Sequence, residues 1–291
     1  MAAVSILSET QCRLGEEPVF DPARETLFWF DITESKRYAL HMPSGRQTVL
    51  DLPEMASAMA VIDADRDLVF MQTGLCVLDN RSGEFSRHVA IEADDPVTRC
   101  NDARVHPSGA FWLGTMGKAA ERGAGAIYRY FRGSVEKLYD RVTIPNAICF
   151  SPDGATGWFI DSRDRKWKKV AVDPSSGAPV GDVEGFLDFR DKAGGPDGAI
   201  CDADGNLWIA RYGGGRLDCF SPEAEMLRSV DLPARQTTCP AFLGDGSIAV
   251  TSAYQNLDAA ARAADPDAGK TFLVETSVRP QFQPPVAFGD P

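Results

Sequence analysis

The sequence predicts an all-β protein with the six-bladed β-propeller fold, and three observations support this prediction. A polar turn followed by a strand rich in Trp, Phe, Leu and Ile recurs along the chain. The repeats have a period in the low forties, which leaves room for about four short strands in each. A β-sandwich is the weaker alternative, because it would not need one regular period. No Pro/Ser-rich or charged linker interrupts the repeat, so we expect a single domain over residues 1–291.

The repeated turns define six predicted blades, which together fill the chain from about residue 12 to about residue 280. Asp and Ser side chains cap such turns, and Gly supplies positive φ. The turns begin at Asp21, Asp63, His106, Ser151, Asp202 and Leu243, so successive starts are 42, 43, 45, 51 and 41 residues apart. Further strands are expected within residues 38–50, 75–89, 125–138, 168–186, 215–230 and 270–275.

Three other stretches complete the prediction for the chain. Residues Leu257–Ala264 have a helical pattern, which we interpret as a solvent-facing helix or an ordered loop in preference to a lid over the mouth of the propeller. The Pro-rich tail PQFQPPVAFGDP is expected to be an extended terminal segment. The stretch from Tyr212 to Arg216 (YGGGR) is interpreted as a connection between strands, because no helix follows it as a phosphate-binding loop would require.

Charge and composition exclude several classes of partner. Lys and Arg total 30 and Asp and Glu total 42, which gives a formal net charge of −12. This balance argues against binding to nucleic acid or to an anionic membrane, and it permits binding of a cation. We find no signal peptide and no apolar run long enough to span a bilayer, so a cytoplasmic location is expected. We expect a monomer or a weak homo-oligomer.

Histidine and cysteine usage narrows the possible chemistry. The three histidines lie outside any plausible catalytic setting, which makes a His-rich zinc site or a Ser-His-Asp site a poor hypothesis. The seven cysteines are scattered, and no two form a CxxC pair. We therefore predict buried thiols in a reducing compartment, with neither a disulfide framework nor a zinc knuckle.

Four polar residues just ahead of separate turns share a register and are the best candidates for chemistry. They are Glu16, Asn101, Asn146 and Asp197. In a propeller, the loops that enter the innermost strands converge at one end of the central channel, so these side chains are expected to meet there. Two carboxylates and two amide carbonyls would form an axial, oxygen-only site for one hard divalent cation. Ca²⁺ is the first expectation, with Mg²⁺, Mn²⁺, Zn²⁺ or Fe²⁺ as alternatives.

The motifs that contain these residues resemble those of the SMP-30/gluconolactonase/luciferin-regenerating-enzyme family, which includes regucalcin. The resemblance extends over essentially the whole chain, through LGEEPVFDPARETLFWFDI, RCNDARVHPSGAFWLGTMG, GAGAIYRY, IPNAICFSPDG and PDGAICDADGNLWIARYGGGR. It implies a six-bladed propeller in which Glu16, Asn146 and Asp197 hold one divalent metal ion. Asn101 would lie close by, as a further ligand or as a substrate contact.

The same resemblance implies roles in substrate binding and catalysis. Arg99 would bind substrate oxygens together with Asn101, and Asp197 is similar to the family's catalytic base. Members of the family commonly have a substrate-binding Glu soon after the GTM triplet, and Glu121 is the candidate here. Asp102 is expected to brace the loop behind the site.

The activity implied is metal-dependent hydrolysis of a small sugar lactone, such as a gluconolactone-like aldonolactone, to the aldonic acid. A carboxylate that touches a dication is a weakened base, so activation of water by the cation is an equal alternative to Asp197. Two other functions stay open. One is hydrolysis of phosphotriesters or other esters on the same propeller, and the other is a non-catalytic calcium-binding or regulatory role.

Overall fold

The computed structural model describes residues 2–290, so the outer limits of the predicted domain, residues 1 and 291, lie outside the described residues. The described chain forms 24 β-strands and one short α-helix. The first twelve strands are β1 (Val4–Ser8), β2 (Gly15–Asp21), β3 (Thr26–Asp31), β4 (Lys36–His41), β5 (Arg46–Asp51), β6 (Ala56–Val61), β7 (Arg66–Met71), β8 (Gly74–Asp79), β9 (Phe85–Ala90), β10 (Thr98–Val105), β11 (Phe111–Gly117) and β12 (Gly125–Phe131). The remaining elements are β13 (Ser134–Val142), β14 (Pro145–Phe150), β15 (Thr156–Asp161), β16 (Lys166–Ala171), β17 (Glu184–Asp188), β18 (Gly195–Cys201), β19 (Leu207–Tyr212), β20 (Arg216–Phe220), β21 (Met226–Asp231), β22 (Thr237–Phe242), β23 (Ile248–Ser252), α1 (Ala259–Ala264) and β24 (Thr271–Val274).

Within residues 2–290 the strands pair into six four-stranded antiparallel sheets. Five sheets consist of four consecutive strands: blade 1 is β2–β5, blade 2 is β6–β9, blade 3 is β10–β13, blade 4 is β14–β17 and blade 5 is β18–β21. Blade 6 has the order β1-β24-β23-β22, so its outer strand comes from the start of the chain. This is the six-bladed β-propeller arrangement, and the predicted all-β fold is confirmed. The six predicted turn-plus-strand units are the second strands of the blades. The strand Val4–Ser8 was not predicted.

The described chain divides into two compact units with three blades each. The first unit contains the residues up to Pro53 together with Phe189–Phe282, and so includes blades 1, 5 and 6. The second unit contains Glu54–Asp188 together with the residues from Gln283 onward, and so includes blades 2, 3 and 4. A single domain over residues 1–291 stays a prediction.

Burial follows the position of a strand within its blade. The second strands are buried on both faces: all six residues of β3 and all seven of β11 are buried. In the first unit Trp29 packs with Leu27 and Ala249, and in the second unit Trp112 packs with Ile148 and Phe150. The outer strands β5 and β21 are mostly exposed. The aromatic content of the repeated motif therefore serves the packing between sheets.

In each of the six described blades the first strand has a β-bulge at the same position. In blade 1, Glu16 pairs with Phe30 and Val19 pairs with Phe28, so three steps on β2 oppose two steps on β3. The other five first strands also contain one extra residue at this point. Bulges break the alternation of a strand and redirect side chains, and they are common beside active sites.

Three smaller predictions can be compared with the structure. Helix α1 is capped by Asp258, whose side chain accepts a hydrogen bond from the Ala261 N–H, and it has no buried residue, so the prediction of a solvent-facing helix is confirmed. The seven cysteines, all of them in the described chain, are free and buried, as predicted. The helical part of residues 2–290 offers nothing of the length and apolarity that crossing a membrane requires.

Candidate metal and substrate site

The bulges of the first strands hold the four residues predicted to form the site. Glu16 and Asn146 are the last paired residues before their bulges, opposite Phe30 and Ile160. Asn101 and Asp197 are the first residues inside their bulges, each directly after a paired residue. The four residues therefore do not share one position in their strands. Two of them occupy one position of the bulge in their blades, and the other two occupy the next position. All four are buried, with 5–8% of their surface exposed.

In the second unit, Asn101 links the first strands of blades 3 and 4. Its Nδ2 donates to the Pro145 carbonyl and to Asn146 Oδ1, both at 2.9 Å. Its Oδ1 accepts a hydrogen bond from Arg99 Nη1 at 2.9 Å. Arg99, Asn101 and Asn146 are therefore brought together, as predicted. The amide of Asn101 has one orientation that fits this network, because Arg99 can only donate and the Pro145 carbonyl can only accept.

Asn146 is held from its other side by residues that the sequence analysis did not identify. Its Nδ2 donates to Ser162 Oγ at 2.9 Å, which leaves Oδ1 on the side of Asn101. The Asp161 carboxylate accepts hydrogen bonds from the backbone N–H groups of Thr143 (2.8 Å) and Ile144 (3.1 Å). These two residues precede Pro145 and Asn146, so Asp161 fixes the loop that leads into the bulge.

Asp102 has the bracing position that was predicted for it. It is 3% exposed, and its Oδ2 accepts a hydrogen bond from the Ile148 N–H at 2.9 Å. Ile148 lies within the bulge of β14. Asp102 therefore connects the bulge of β10 in blade 3 with the bulge of β14 in blade 4.

The Arg99 side chain is buried, and its Nη1 also donates to the carbonyl of Cys100 at 2.7 Å. The loop before Arg99 is fastened by Glu92, whose Oε1 accepts hydrogen bonds from Tyr128 Oη at 2.7 Å and from Thr115 Oγ1 at 3.1 Å. Arg99 thus has a fixed guanidinium on a fixed loop, which suits a group that orients a ligand.

Glu121 lies in the loop between β11 and β12 and is exposed. Its carboxylate accepts a hydrogen bond from the Ala119 N–H at 3.0 Å and lies over Gly117, where an added Cβ would come within 2.1 Å of Oε2. Gly117 is paired with Thr98, the residue before Arg99. Glu121 therefore lies near the Arg99 end of blade 3, and a contact between Glu121 and substrate stays a prediction.

In the first unit, the negative charges of Glu16 and Asp197 both act on one phenol, that of Tyr212. Burial raises the pKa of Tyr212 to about 12, and the negative charges of Asp197 and Glu16 act in the same direction. The phenol is therefore protonated at neutral pH and can donate a hydrogen bond. It donates to Gln236 Oε1, and the Gln236 amide donates in turn to the Gln255 carbonyl at 3.2 Å. Tyr212 is a polar neighbour of the site that sequence reasoning treated only as part of a strand connection.

The loop that leads to Glu16 is anchored in the same way as the loop that leads to Asn146. The Asp31 carboxylate accepts hydrogen bonds from the N–H groups of Arg13 (2.6 Å) and Leu14 (3.1 Å). Asp31 ends the second strand of blade 1 and Asp161 ends the second strand of blade 4. The signal was present in the sequence, because the strand motifs FWFD and WFID both end in Asp at this position.

The chemistry of these residues fits a hard divalent cation. Glu16 and Asp197 are buried carboxylates whose charges both act on Tyr212, and a bound cation would stabilise their ionised forms. An amide oxygen has two lone pairs, so the bond from Asn101 to Asn146 Oδ1 is compatible with a cation on the same atom. Across the described residues, no three His, Cys, Asp or Glu side chains are grouped to hold a metal ion. Two carboxylates are fewer ligands than Ca²⁺ or Mg²⁺ takes, so a cation bound by Glu16 and Asp197 would need further oxygen ligands.

Several known proteins are similar to this chain over most of its length. Regucalcin from Agrobacterium tumefaciens str. C58, a calcium-binding protein of known crystal structure, is 44% identical, with a TM-score of 0.96 over 97% of both chains. The L-arabinolactonase of Azospirillum brasilense is 35% identical over 280 residues, covering 94% of this chain and 91% of that protein. The 6-deoxy-6-sulfogluconolactonase of Pseudomonas putida is 30% identical over 273 residues, covering 91% and 92%.

The family comparison agrees with these relatives. The family model described as the SMP-30/Gluconolactonase/LRE-like region matches residues 14–254, a span that contains Glu16, Arg99, Asn101, Asn146 and Asp197. The chain therefore belongs to the SMP-30/gluconolactonase/LRE-like family.

Proposed function

We propose that this protein is a metal-dependent hydrolase that opens a small sugar lactone to the corresponding aldonic acid. The observation that carries the proposal is the set of buried oxygen groups at the bulges: the carboxylates of Glu16 and Asp197, and Asn101 hydrogen-bonded to Asn146. The lactonases among its relatives support the same class of substrate. Glu16, Asn146 and Asp197 would together hold one divalent cation, with Ca²⁺ as the first candidate.

The chain's own residues would divide the work of hydrolysis. Arg99 and Asn101, which are fixed to each other, would orient the lactone through its hydroxyl and carbonyl oxygens. Asp197 would accept a proton from the water whose oxygen attacks the lactone carbonyl carbon. Breaking of the ring C–O bond would then return a proton to the departing ring oxygen, giving the open-chain hydroxy acid. When bound, the cation would supply Lewis-acid polarisation of the carbonyl.

Arg99 would also favour the anion that develops on the carbonyl oxygen. Its guanidinium is buried, and a preorganised charge in a site with little water stabilises a transition state more than the same charge in bulk water does. Glu121 stays a candidate substrate contact on the exposed loop beside this end of β10.

The test is hydrolysis of a panel of aldonolactones by the metal-stripped protein, with Ca²⁺, Mg²⁺, Mn²⁺, Zn²⁺ or Fe²⁺ added back. Asp197→Ala would be compared with wild type and with Asp182→Ala, which changes an exposed carboxylate on blade 4. We expect metal to restore activity in wild type and in Asp182→Ala, and a loss of at least 100-fold in Asp197→Ala. Calcium binding should be measured by calorimetry on the same samples.

The outcomes separate the alternatives. Lactonase activity that survives chelation or the Asp197→Ala change would contradict the proposed metal site. Greater metal-dependent activity on a phosphotriester than on any lactone would favour the other hydrolase. Calcium binding without turnover of either substrate class would favour a binding or regulatory protein.

A further inference from the structure

Arg211 is a buried residue close in the sheet to Asp197, and the proposed reaction does not use it. It is 1% exposed on the second strand of blade 5, and its Nη1 donates to Asp218 Oδ2 at 2.9 Å. Asp218 is fully buried, and its other oxygen accepts a hydrogen bond from Ser229 Oγ at 2.6 Å. A buried ion pair of this kind contributes little net stability, so its presence calls for another explanation.

The other contacts of Arg211 are with the loop that leads into β18. Its Nη2 donates to the carbonyls of Ala193 (2.8 Å) and Gly194 (3.0 Å). Its guanidinium lies over the ring of Phe189, 4.4 Å from the centroid, and Phe189 is fully buried at the start of the same loop. One side chain therefore holds both ends of the loop 189–194.

This loop ends three residues before Asp197, and Arg211 is adjacent to the bulge itself. Arg211 is the cross-strand partner of Pro196, the last paired residue before the bulge that contains Asp197. The loop also packs directly against the glycine turn after β19. At Gly194, where φ is +71°, an added Cβ would lie 2.6 Å from the Gly214 nitrogen. The chain on the N-terminal side of Asp197 is thus fixed by Arg211 and by a backbone contact that only glycine permits.

The loops that lead to the two other proposed ligands are also fixed by residues at the end of the second strand of their blade. The loops before Glu16 and Asn146 are anchored by Asp31 and Asp161, the last residues of their second strands. In blade 5 this position is Tyr212, whose phenol bonds to Gln236. Arg211 lies one residue earlier and anchors its loop by donating to carbonyls of that loop. The two aspartates anchor their loops by accepting hydrogen bonds from loop N–H groups.

We propose that Arg211 is a positioning residue for Asp197: held by Asp218, it clamps the 189–194 loop and so sets the place of the Asp197 carboxylate. This proposal rests on the proposed function, because it concerns a group assigned to hold the metal and accept a proton. The planar guanidinium is needed, since an ammonium group cannot reach Asp218 and two loop carbonyls in one plane. A small displacement of a catalytic group is enough to slow a reaction strongly.

The experiment compares Arg211→Met and Arg211→Lys with Arg37→Met. Arg37 is a matched control, because it is buried in blade 1 and its guanidinium lies over a phenylalanine, Phe28, at 5.0 Å. We expect kcat on the best lactone to fall about 10- to 100-fold in Arg211→Met, with KM within about threefold of wild type. Arg211→Lys should lie in between. Arg37→Met should have a lower melting temperature than wild type but the same kcat.

A second readout does not depend on turnover. In hydrogen exchange, the amides of residues 193–195 and of Asp197 should exchange at least about 10-fold faster in Arg211→Met than in wild type or Arg37→Met. A folded Arg211→Met protein with wild-type kcat and unchanged exchange in this loop would overturn the clamp while leaving the proposed function intact. A wild-type protein without lactonase activity would overturn the proposed function and, with it, the catalytic role of Arg211.

Discussion

Replacing Asn101 with Asp tests the direction of the hydrogen bonds at the centre of the site. The change is isosteric, but it exchanges the Nδ2 donor for a second acceptor. That donor serves the Pro145 carbonyl and Asn146 Oδ1, each at 2.9 Å. In Asn101→Asp both of these acceptors would face a carboxylate oxygen, while Arg99 would gain a charged partner.

The expected loss of stability can be worked out from these three contacts. Leaving a buried acceptor without its donor costs about 1–3 kcal/mol, so two acceptors cost about 4 kcal/mol. A charged hydrogen bond between Arg99 and the new carboxylate returns about 2 kcal/mol. We therefore expect Asn101→Asp to lower the free energy of unfolding by about 2 kcal/mol.

The assay is urea unfolding followed by tryptophan fluorescence, with a chelator present so that a cation cannot offset the new charge. Asn256→Asp is the control, because Asn256 is exposed and the change there should stay within about 0.5 kcal/mol of wild type. An Asn101→Asp protein as stable as the control would refute the assignment of Nδ2 as donor to Pro145 and Asn146.

Four further results are expected. Asp161→Ala should lower the free energy of unfolding by about 2–4 kcal/mol in urea and weaken calcium binding in calorimetry, because it removes the acceptor of the buried Thr143 N–H and of the part-buried Ile144 N–H; unchanged calcium affinity would count against its positioning role. Burial lowers the pKa of His106, whose Nε2 bonds to the Gly154 carbonyl, so its contribution to stability is present above the ordinary pKa of 6.5 and is lost as the pH falls below it. Melting temperatures between pH 7.5 and 5 should therefore decline less steeply in His106→Gln than in wild type. Val286→Ala, at a buried position in the tail, should cost about 2 kcal/mol in the same urea assay and leave kcat unchanged. Urea unfolding of wild type should follow one transition by circular dichroism and by fluorescence if residues 1–291 are one domain, and two separate transitions would contradict this.

The repeated motif made most of the fold predictable. The second strands are buried, so their sequences are apolar and aromatic, as in β3 and β11, and the turn before each of them requires Asp, Ser or Gly. The strand Val4–Ser8 lacks both signals. Only one of its five residues is buried, and it pairs with a segment near the other end of the chain, so no local pattern marks it.

The candidate site was only partly predictable, for a similar reason. Glu16, Asn101, Asn146 and Asp197 stand out because polar residues are unexpected at the start of buried strands. The sequence does not reveal that bulges offset these residues by one position, because a bulge is a property of pairing and not of composition. Asp161 ends the motif WFID as Asp31 ends FWFD, but only the structure shows that its carboxylate accepts hydrogen bonds from the N–H groups ahead of Asn146.

The pairing of β1 with β24 has a consequence for how the protein is made. Val4 pairs with Val274, which follows it by 270 positions, so the sheet cannot close until Val274 has been synthesised. The first unit is interrupted by the chain that forms blades 2, 3 and 4, whose strands all lie between Glu54 and Asp188. We therefore expect these middle blades to fold first on the ribosome and β1 to wait unpaired. Closing so long a loop is slow, which makes the pairing of β1 with β24 the step at which a chaperone would help most.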